Sequence, residues 1–426
     1  MEVYDVVVCG GGFAGTAAAL SAAREGAKVL LIEYNNCLGG AAAECLVNPF
    51  MPYWTRGDDG NRLLLSSGIF TEICTEMRKL SAEIEGVEYK ENEKPMTTFN
   101  EEYLKIVLQR MVIGAGVKLL FHTRVTGVNR EAGTIRSVTV SNKSGMYEIA
   151  AKCFIDCTGD ADVTAMSGCP VKVGREADSL CQPMTLCFRV SDVDVEEFNK
   201  VRGDMQKLYK QYRAEGRIKN VREDILIFGT TSPTTLHFNS TRIVKRSPVS
   251  AEEVTSAELE VREQVLELFK FLKRNAKGFE KAVLASTAMR IGVRESRMIV
   301  GDYVLTQDDL TGCRRFEDSI SACNYDIDIH NPEGSGTSHW YFKDGTYYTI
   351  PYRCLIPTGV DNLLVAGRCI SSTHEAQASY RIMPTCCTLG QAAGTAAAMA
   401  AASDGKVRNV NVGELRKILT ENGMFI

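Results

Sequence analysis

The sequence predicts an α/β fold: a domain of parallel strands and helices with a small antiparallel meander, interrupted by a mixed α+β domain. Three observations predict it. Residues 4–33 read as strand, glycine-rich turn, alanine-rich helix and second strand. Residues 123–150 alternate polar and apolar side chains between turn signals. From about residue 346 the chain returns to the opening texture of short apolar strand, polar loop and small-residue helix.

In order, residues 4–9 (Tyr-Asp-Val-Val-Val-Cys) are too short and too β-branched for a helix and read as a buried strand. The helix that follows runs to Glu25, where Gly26 suits the C′ position, and residues 28–33 form a second buried strand. An aromatic loop (Phe50, Tyr53, Trp54) precedes a helical stretch near 66–82 and polar turns up to 100. A helix near 100–113 leads through Gly114-Ala115-Gly116 to a strand at 117–122. The meander turns at Glu131-Ala132-Gly133 and between Asn142 and Gly145, and a strand at 153–157 ends in Thr158-Gly159-Asp160. Beyond about 176, strands at 184–190, 225–229 and 235–244 surround charged helical stretches near 193–215 and 250–274. A hairpin is expected over 339–350, turning at Asp344-Gly345. A strand at 363–366 and a helix near 385–402 complete the chain. This layout predicts a discontinuous first domain, 1–175 and 346–426, with 50–95 as an excursion toward the side of a second domain at 176–345.

With 426 residues the chain suits two or three domains and buries a large core without metal or disulfide staples. Apolar residues at 45% and charged ones at 24% exclude a disordered or fibrous chain. A net charge of −4 makes nucleic acid a poor partner. Glu2 stands where a secretory signal carries base, and the small-apolar run at 392–402 is too short and alanine-rich to span a bilayer. The expected location is cytoplasmic, with no membrane partner. Fifteen cysteines without any C-x-x-C spacing argue against zinc, iron–sulfur or dithiol sites, so no metal is expected and most thiols read as small hydrophobes. Cys386-Cys387 are the exception, since neighbours can form a strained vicinal disulfide, which a reducing cytosol opposes.

Gly10-x-Gly12-x-x-Gly15 lies between a strand and a helix, and Glu33 ends the next strand. That context is what a dinucleotide site demands. Gly10 allows the tight turn, Gly12 lets backbone approach a pyrophosphate, and Gly15 lets helix pack on sheet, with the helix N-terminus facing negative charge. Glu33 can accept from ribose hydroxyls and would repel a 2′-phosphate. Gly114-Ala115-Gly116 follows a helix and lacks the third glycine, so it is a helix-to-strand turn. One fingerprint disfavours a chain carrying two dinucleotides in separate folds.

Gly10-Gly-Gly-Phe-Ala-Gly15, Glu33 and Leu38-Gly39-Gly40, then Asp156-Cys-Thr-Gly-Asp160, then Asn362-Leu-Leu-Val-Ala-Gly-Arg368 resemble the FAD-dependent oxidoreductases of the glutathione-reductase-like superfamily. More narrowly, the chain resembles a bacterial FAD-dependent oxidoreductase family distantly akin to fumarate reductase flavoproteins. Arg290-Ile-Gly-Val-Arg-Glu-Ser-Arg297, Gly301-Asp-Tyr-Val304, Arg381-Ile-Met-Pro-Thr385 and Gly390-Gln-Ala-Ala-Gly394 carry that narrower likeness. It covers nearly the whole chain and is weakest over 190–280. The resemblance implies a Rossmann-like FAD-binding domain and a substrate domain. It implies that Gly10, Gly12, Phe13, Ala14 and Gly15 hold the pyrophosphate and Glu33 the adenosine ribose. Gly39 and Gly40 would lie along the path to the flavin, and Val125 would present backbone to adenine. Thr158, Gly159 and Asp160 would approach the adenosine half, with Gly367 and Arg368 at the diphosphate and ribityl region. Ile382 and Met383 would begin a helix whose N-terminus faces the flavin pyrimidine. Cys157 departs from the alanine frequent in such proteins and leaves the assignment intact.

Five histidines are available for proton transfer. His374, directly after Gly367-Arg368, is the first candidate and His330, closing a strand before Asn331-Pro332, the second. His237 and His339 sit in strand patterns, and His122 reads as structural. Arg290, Arg294 and Arg297 fall at i, i+4 and i+7, so on a helix they share a face. That face is either ion-paired, with Glu295 as neighbour, or a clamp for a substrate carboxylate. Arg381 is the better single candidate for an anion. Gly292 would weaken such a helix by about 1 kcal/mol, which hints at a close contact or a break there. Trp54 and the aromatics of 340–348 either line a pocket or fill a hairpin core. The expected activity is therefore hydride transfer between the flavin N5 of noncovalent FAD and a small, anionic organic substrate, with an unidentified electron acceptor or donor. An FAD-binding electron-transfer or structural subunit and an NAD-dependent dehydrogenase are the alternatives. Oligomeric state is not legible.

Overall fold

The computed structural model describes residues 3–86 and 97–426; part of the polar stretch before residue 100 lies outside them. The sheet is built on Val3–Cys9, where Val6, Val7, Val8 and Cys9 are fully buried. A strand with no solvent-facing side belongs in the middle of a parallel sheet with both faces covered. It runs parallel to Val29–Ile32 on one side and to the second half of Gly145–Asp156 on the other, with Val8 opposite both Leu31 and Ile155. Lys118–Leu120 continues the sheet beyond Val29–Ile32, and Leu363–Val365 pairs parallel with residues 154–156. The first half of Gly145–Asp156 instead pairs antiparallel with Thr134–Asn142, which pairs with Arg124–Glu131. One long strand is thus shared by the parallel sheet and the meander.

The helices Phe13–Arg24 and Met383–Ala401 are rich in alanine and glycine because they touch backbone to backbone. A Cβ on Gly390 would lie 2.0 Å from the Ala14 carbonyl oxygen, and one on Gly394 2.1 Å from that of Ala18. Nothing larger than glycine fits that crossing, so the start of the second helix is fixed beside the start of the first. Gly114–Gly116 is the helix-to-strand turn expected, with Gly116 at φ +78°.

A second apolar core lies in residues 184–293. There the helices Val195–Ala214 and Ala251–Asn275 accompany an antiparallel sheet ordered Ile227–Gly229, Leu236–Phe238, Phe188–Ser191, Val283–Thr287. Phe188 and Phe238 face each other across two strands, their rings stacked at 4.6 Å. Asp194 and Ser250 cap the two helices by accepting from the N–H groups of Glu197 and Glu253.

Two expectations are corrected. The hairpin over 339–350 does not form: Thr337–Trp340 pairs with Ile327–His330, and Tyr348–Pro351 with Ser319–Cys323. The turn at Asp344-Gly345 exists, with Gly345 at φ +83°. Its arms part because Tyr348 and Ile350 are fully buried in the first core, whereas residues 338–340 are exposed. Nor do Arg290, Arg294 and Arg297 share a helix face, since residues 288–296 contain no helix. Gly292 there exchanges both backbone hydrogen bonds with Thr185, at 2.7 and 3.1 Å. A Cβ on it would press on the Thr185 carbonyl oxygen at 3.1 Å. Every cysteine is a free thiol, buried except at Cys37 and Cys313, and Cys386-Cys387 sits inside a helix. Among the described residues no helix is long and apolar enough to cross a membrane.

Candidate active site

Gly10 leaves its strand at φ +100°, and a Cβ there would stand 2.4 Å from the Cys157 carbonyl oxygen. At Gly15 a Cβ would be 1.7 Å from the Gly10 carbonyl oxygen. Gly12 opens the Phe13–Arg24 helix with no side-chain cap, leaving its first-turn N–H groups without an intrahelical partner. Gly40 faces it so closely that a Cβ would lie 2.9 Å from the Gly12 Cα, and Gly39 donates to the Gly11 carbonyl at 2.9 Å. Gly367, at φ +105°, approaches Ala14 from the far end of the chain, its missing Cβ 3.3 Å from the Ala14 Cβ. Glycines from three segments therefore clear the space around one uncapped helix start.

Glu33 is buried beside this turn, accepting from the Gly11 N–H at 2.5 Å and from Asn35 through its backbone and side-chain nitrogens at 2.8 Å. Further along, Val125 lines a cavity of about 310 Å³ with Arg124, Thr126, Asp162, Ala165, Met166 and Arg297. Thr158-Gly159-Asp160 is tethered nearby because Asp156 accepts from the Thr158 N–H and hydroxyl, at 3.1 and 2.7 Å. Asp160 takes the Arg368 Nη2 at 2.7 Å and the Ser296 hydroxyl at 2.6 Å. Burial works to raise Asp160, but the Arg368 charge and these hydrogen bonds outweigh it and hold the carboxyl below its ordinary value. Among the described residues the buried Nε of Arg368 has no partner, and Met383–Ala401 starts at Ile382 without a side-chain cap. Glycine-cleared backbone, two uncapped helix starts, a fixed carboxylate and an unsatisfied guanidinium nitrogen fit a dinucleotide.

His374 opens the short helix His374–Tyr380, capped by the Thr373 hydroxyl. It is buried, with Nδ1 2.8 Å from Oε1 of the fully buried Glu295, whose Oε2 accepts from the Gln182 N–H at 2.8 Å. Gln182 extends the network. Its Oε1 accepts from the His330 N–H at 3.3 Å and the Arg381 Nη2 at 3.4 Å, and its Nε2 donates to Gln377 at 3.2 Å. Gln377 in turn donates to the Arg294 carbonyl at 2.8 Å. The Arg294 guanidinium, only partly exposed, donates to the Pro183 carbonyl at 2.7 Å, the Thr185 hydroxyl at 2.6 Å and Asn239 at 3.3 Å. All three acceptors are neutral. Burial first, then the charges of Arg381, Arg222 and Arg242, push Arg294 down to about 9. Guanidinium nevertheless stays protonated at neutral pH, so the group lies in a field where burial and neighbouring cations outweigh the Asp328 carboxylate.

The strand Ile327–His330 sets Asp328 and His330 on one face. Asp328 Oδ2 lies 3.4 Å from the His330 Nε2, 3.1 Å from the Tyr325 hydroxyl and 3.8 Å from Arg381. Burial opposes its charge, but the His330 hydrogen bond and the Arg381 charge outweigh this and hold Asp328 well below the carboxylate range. His330 is driven the other way, to about 3, by burial and the charge of Arg294.

Four of the five catalytic candidates, His374, His330, Arg381 and Arg294, thus meet in one cluster. Arg290 is the correction. It is half-exposed and pairs with Glu44 Oε2 at 2.6 Å, on the segment next to Gly39 and Gly40, because without a helix at 288–296 its spacing from Arg294 no longer sets the two side by side. Arg297 departs too, donating to the Asp160 carbonyl and to Asp162 at 3.0 and 2.8 Å. His339 bonds Asp326 at 2.5 Å at the cluster's edge. His237 is buried against Arg189 and Phe228 with neither nitrogen partnered among the described residues. His122 adopts φ +51° and donates to the Asn35 carbonyl. Trp54 is covered by Arg62, and Trp340 meets Phe342 edge to face. Sequence reasoning missed Gln182, Asp328 and Gln377, and placed Glu295 only as an ion-pair neighbour of the arginines. The alternation Asp326-Ile-Asp-Ile-His330 carried a signal for Asp328; Gln182 and Gln377 carried none.

A family model described as FAD dependent oxidoreductase matches residues 5–419. No curated protein matches the chain. Among solved structures it is similar to a geranylgeranyl bacteriochlorophyll reductase-like protein from Thermoplasma acidophilum, at 14% identity over 99% of this chain and 84% of that one, with a TM-score of 0.48. It is also similar to p-nitrophenol 4-monooxygenase PnpA from Pseudomonas putida, at 12% identity over 99% and 82%, with a TM-score of 0.43. Since the family match runs across almost all of the sequence, the chain belongs to the FAD dependent oxidoreductase family and is a flavoenzyme with FAD as its cofactor.

Proposed function

We propose that the enzyme exchanges a hydride between FAD and a small anionic organic substrate, with Arg294 and Arg381 holding the anion and His374 or His330 moving the accompanying proton. One observation carries this reading. The donors of Arg294 meet only neutral acceptors, and the carboxylate nearest Arg381 is 3.8 Å away and shared with His330. A planar anion would satisfy both guanidinium groups bidentately.

The pyrophosphate of FAD would lie at Gly10, Gly12, Phe13, Ala14 and Gly15, its ribose on Glu33 and its adenine in the cavity beside Val125, near Thr158, Gly159 and Asp160. Gly39, Gly40, Gly367 and Arg368 would flank the path to the flavin, with Ile382 and Met383 at the pyrimidine edge. Arg290 belongs with this cofactor side. Bound FAD supplies the two-electron chemistry. The chain's own work is to fix the anion, present the reacting carbon and move one proton at an imidazole nitrogen. The cofactor side would correspond to 1–175 with 346–426 and the substrate side to 176–345, with residues 50–86, the described part of the expected excursion, toward the latter. The second electron partner is a diffusible molecule or a protein, and the free thiols suit a reducing cytoplasm.

The test is anaerobic bleaching of the flavin by a panel of small carboxylates and their neutral amides. Arg294→Met and Arg381→Met should each raise the KM of a bleaching carboxylate at least tenfold. Amides that bleach as well as acids, in wild type and variants alike, would sink the anionic-substrate reading.

A further inference from the structure

We infer that of the two histidines in the cluster only His374 moves the proton, through Nε2, and that Glu295 is the residue that positions it; His330 is a fixed spacer between charges. This rests on the reading that substrate reacts at this cluster, and it follows from which nitrogen each ring can offer.

Arginine has donors and no acceptor. Arg242 is fully buried and its Nη2 lies 3.1 Å from the His330 Nδ1, so Nδ1 accepts. The ring proton is therefore on Nε2, which faces Asp328 at 3.4 Å. Both nitrogens are committed, and a second proton would set a cation against Arg242. Arg242 cannot turn away, because it also donates to the carbonyls of Gly334 and Gly336 and pairs with Glu223 at 3.1 Å.

His374 is held in the opposite tautomer. A Glu295 oxygen 2.8 Å from Nδ1 accepts a hydrogen bond from that nitrogen, which therefore carries the ring proton, while the other carboxylate oxygen is kept in place by the Gln182 N–H. Nε2 makes no hydrogen bond among the described residues and is free to take or return a proton. When it does so the ring becomes a cation directly beside the Glu295 carboxylate, as in other histidines oriented by a buried acid. Gln182 joins the two functions, since its backbone fixes Glu295 and its side chain accepts from Arg381.

The test is ¹⁵N-histidine NMR of the FAD-loaded enzyme, with His374→Gln and His330→Asn used for assignment. Expected are an Nδ1–H tautomer for His374, an Nε2–H tautomer for His330 that does not titrate between pH 5 and 8, and a mixture of tautomers at His374 in Glu295→Gln. An Nε2–H tautomer at His374, a titrating His330, or an unchanged His374 signal in Glu295→Gln overturns the inference. Sodium acetate, titrated into the same samples, tests the underlying reading separately. It should shift the His374 signal in wild type and lose that effect in Arg294→Met, and its failure would fall on the anion site while leaving the tautomer result standing.

Discussion

His237 and Glu44 are buried in ways that leave opposite marks on stability. His237 is 1% exposed with both nitrogens unpartnered among the described residues, and burial plus the Arg189 charge push it down to about 3. The unfolded chain takes up its proton near pH 6.5, so between those values the unfolded state binds more protons and acid destabilises the fold. His237→Phe removes the unsatisfied groups; it should stabilise by about 1–2 kcal/mol at pH 7 and flatten part of the loss of melting temperature below pH 6.5. A melting temperature that falls, or an acid limb left unchanged, would show that the ring has partners after all. Glu44 is pushed up to about 7 by burial, with Arg290 opposing. Here the native state binds more protons, so stability is full below the ordinary value of 4.5 and declines as pH rises toward 7. The melting temperature of wild type minus that of Glu44→Gln should therefore decrease from pH 5 to pH 7.5. A constant difference would mean that Arg290 keeps Glu44 ionised throughout.

At the scale of elements, the crossing of Phe13–Arg24 and Met383–Ala401 is set by two glycines. Gly390→Ala must push the helices apart, since its Cβ would meet the Ala14 carbonyl at 2.0 Å. A loss of about 1–3 kcal/mol is expected. Because the same helix begins at Ile382, the ratio of flavin to protein absorbance should fall as well. Gly394→Ala acts one turn further from that start and should cost similar stability with less loss of flavin; equal flavin content in all three proteins would separate the crossing from cofactor binding. These elements were the most legible in the sequence, because glycine spacing and unbroken apolar strands are local signals. The segment carrying Arg290, Arg294 and Arg297 was misread for the converse reason. A spacing of four and three is helical only if the backbone is, and here Gly292 pairs with Thr185, a partner more than a hundred residues away. The arms of the expected hairpin likewise chose partners by burial, which residues 339–350 do not announce. Gln182 was invisible, and Glu295 was read only as a neighbour of arginines, because the importance of both lies in whom they touch.

For the whole molecule, the site takes its residues from segments that feed the two largest apolar cores, Arg294 following Ile291 and Val293 of one, and His374 and Arg381 near Ala376 and Ile382 of the other. Ligand that binds only the native state stabilises it by mass action, about 2.7 kcal/mol at a hundredfold excess over Kd. Protein stripped of FAD should thus melt lower and recover on adding it, whereas NAD at the same concentration should give no shift; an equal shift with NAD would contradict the cofactor preference. The central sheet has a consequence for how the chain is made. Val8 needs Ile155 as a neighbour, and Ile155 needs Leu364, so the parallel side of the sheet is finished by an edge strand synthesised near the end. Until residues 363–401 leave the ribosome, the nascent chain shows the small-residue face of Phe13–Arg24 and the open edge of residues 154–156. Contacts at such sequence separation form slowly, and an unfinished edge of this kind is sticky. Translation that stalls before residue 360 should yield aggregates or chaperone-bound chains, and faster release of the final strand should raise the soluble yield.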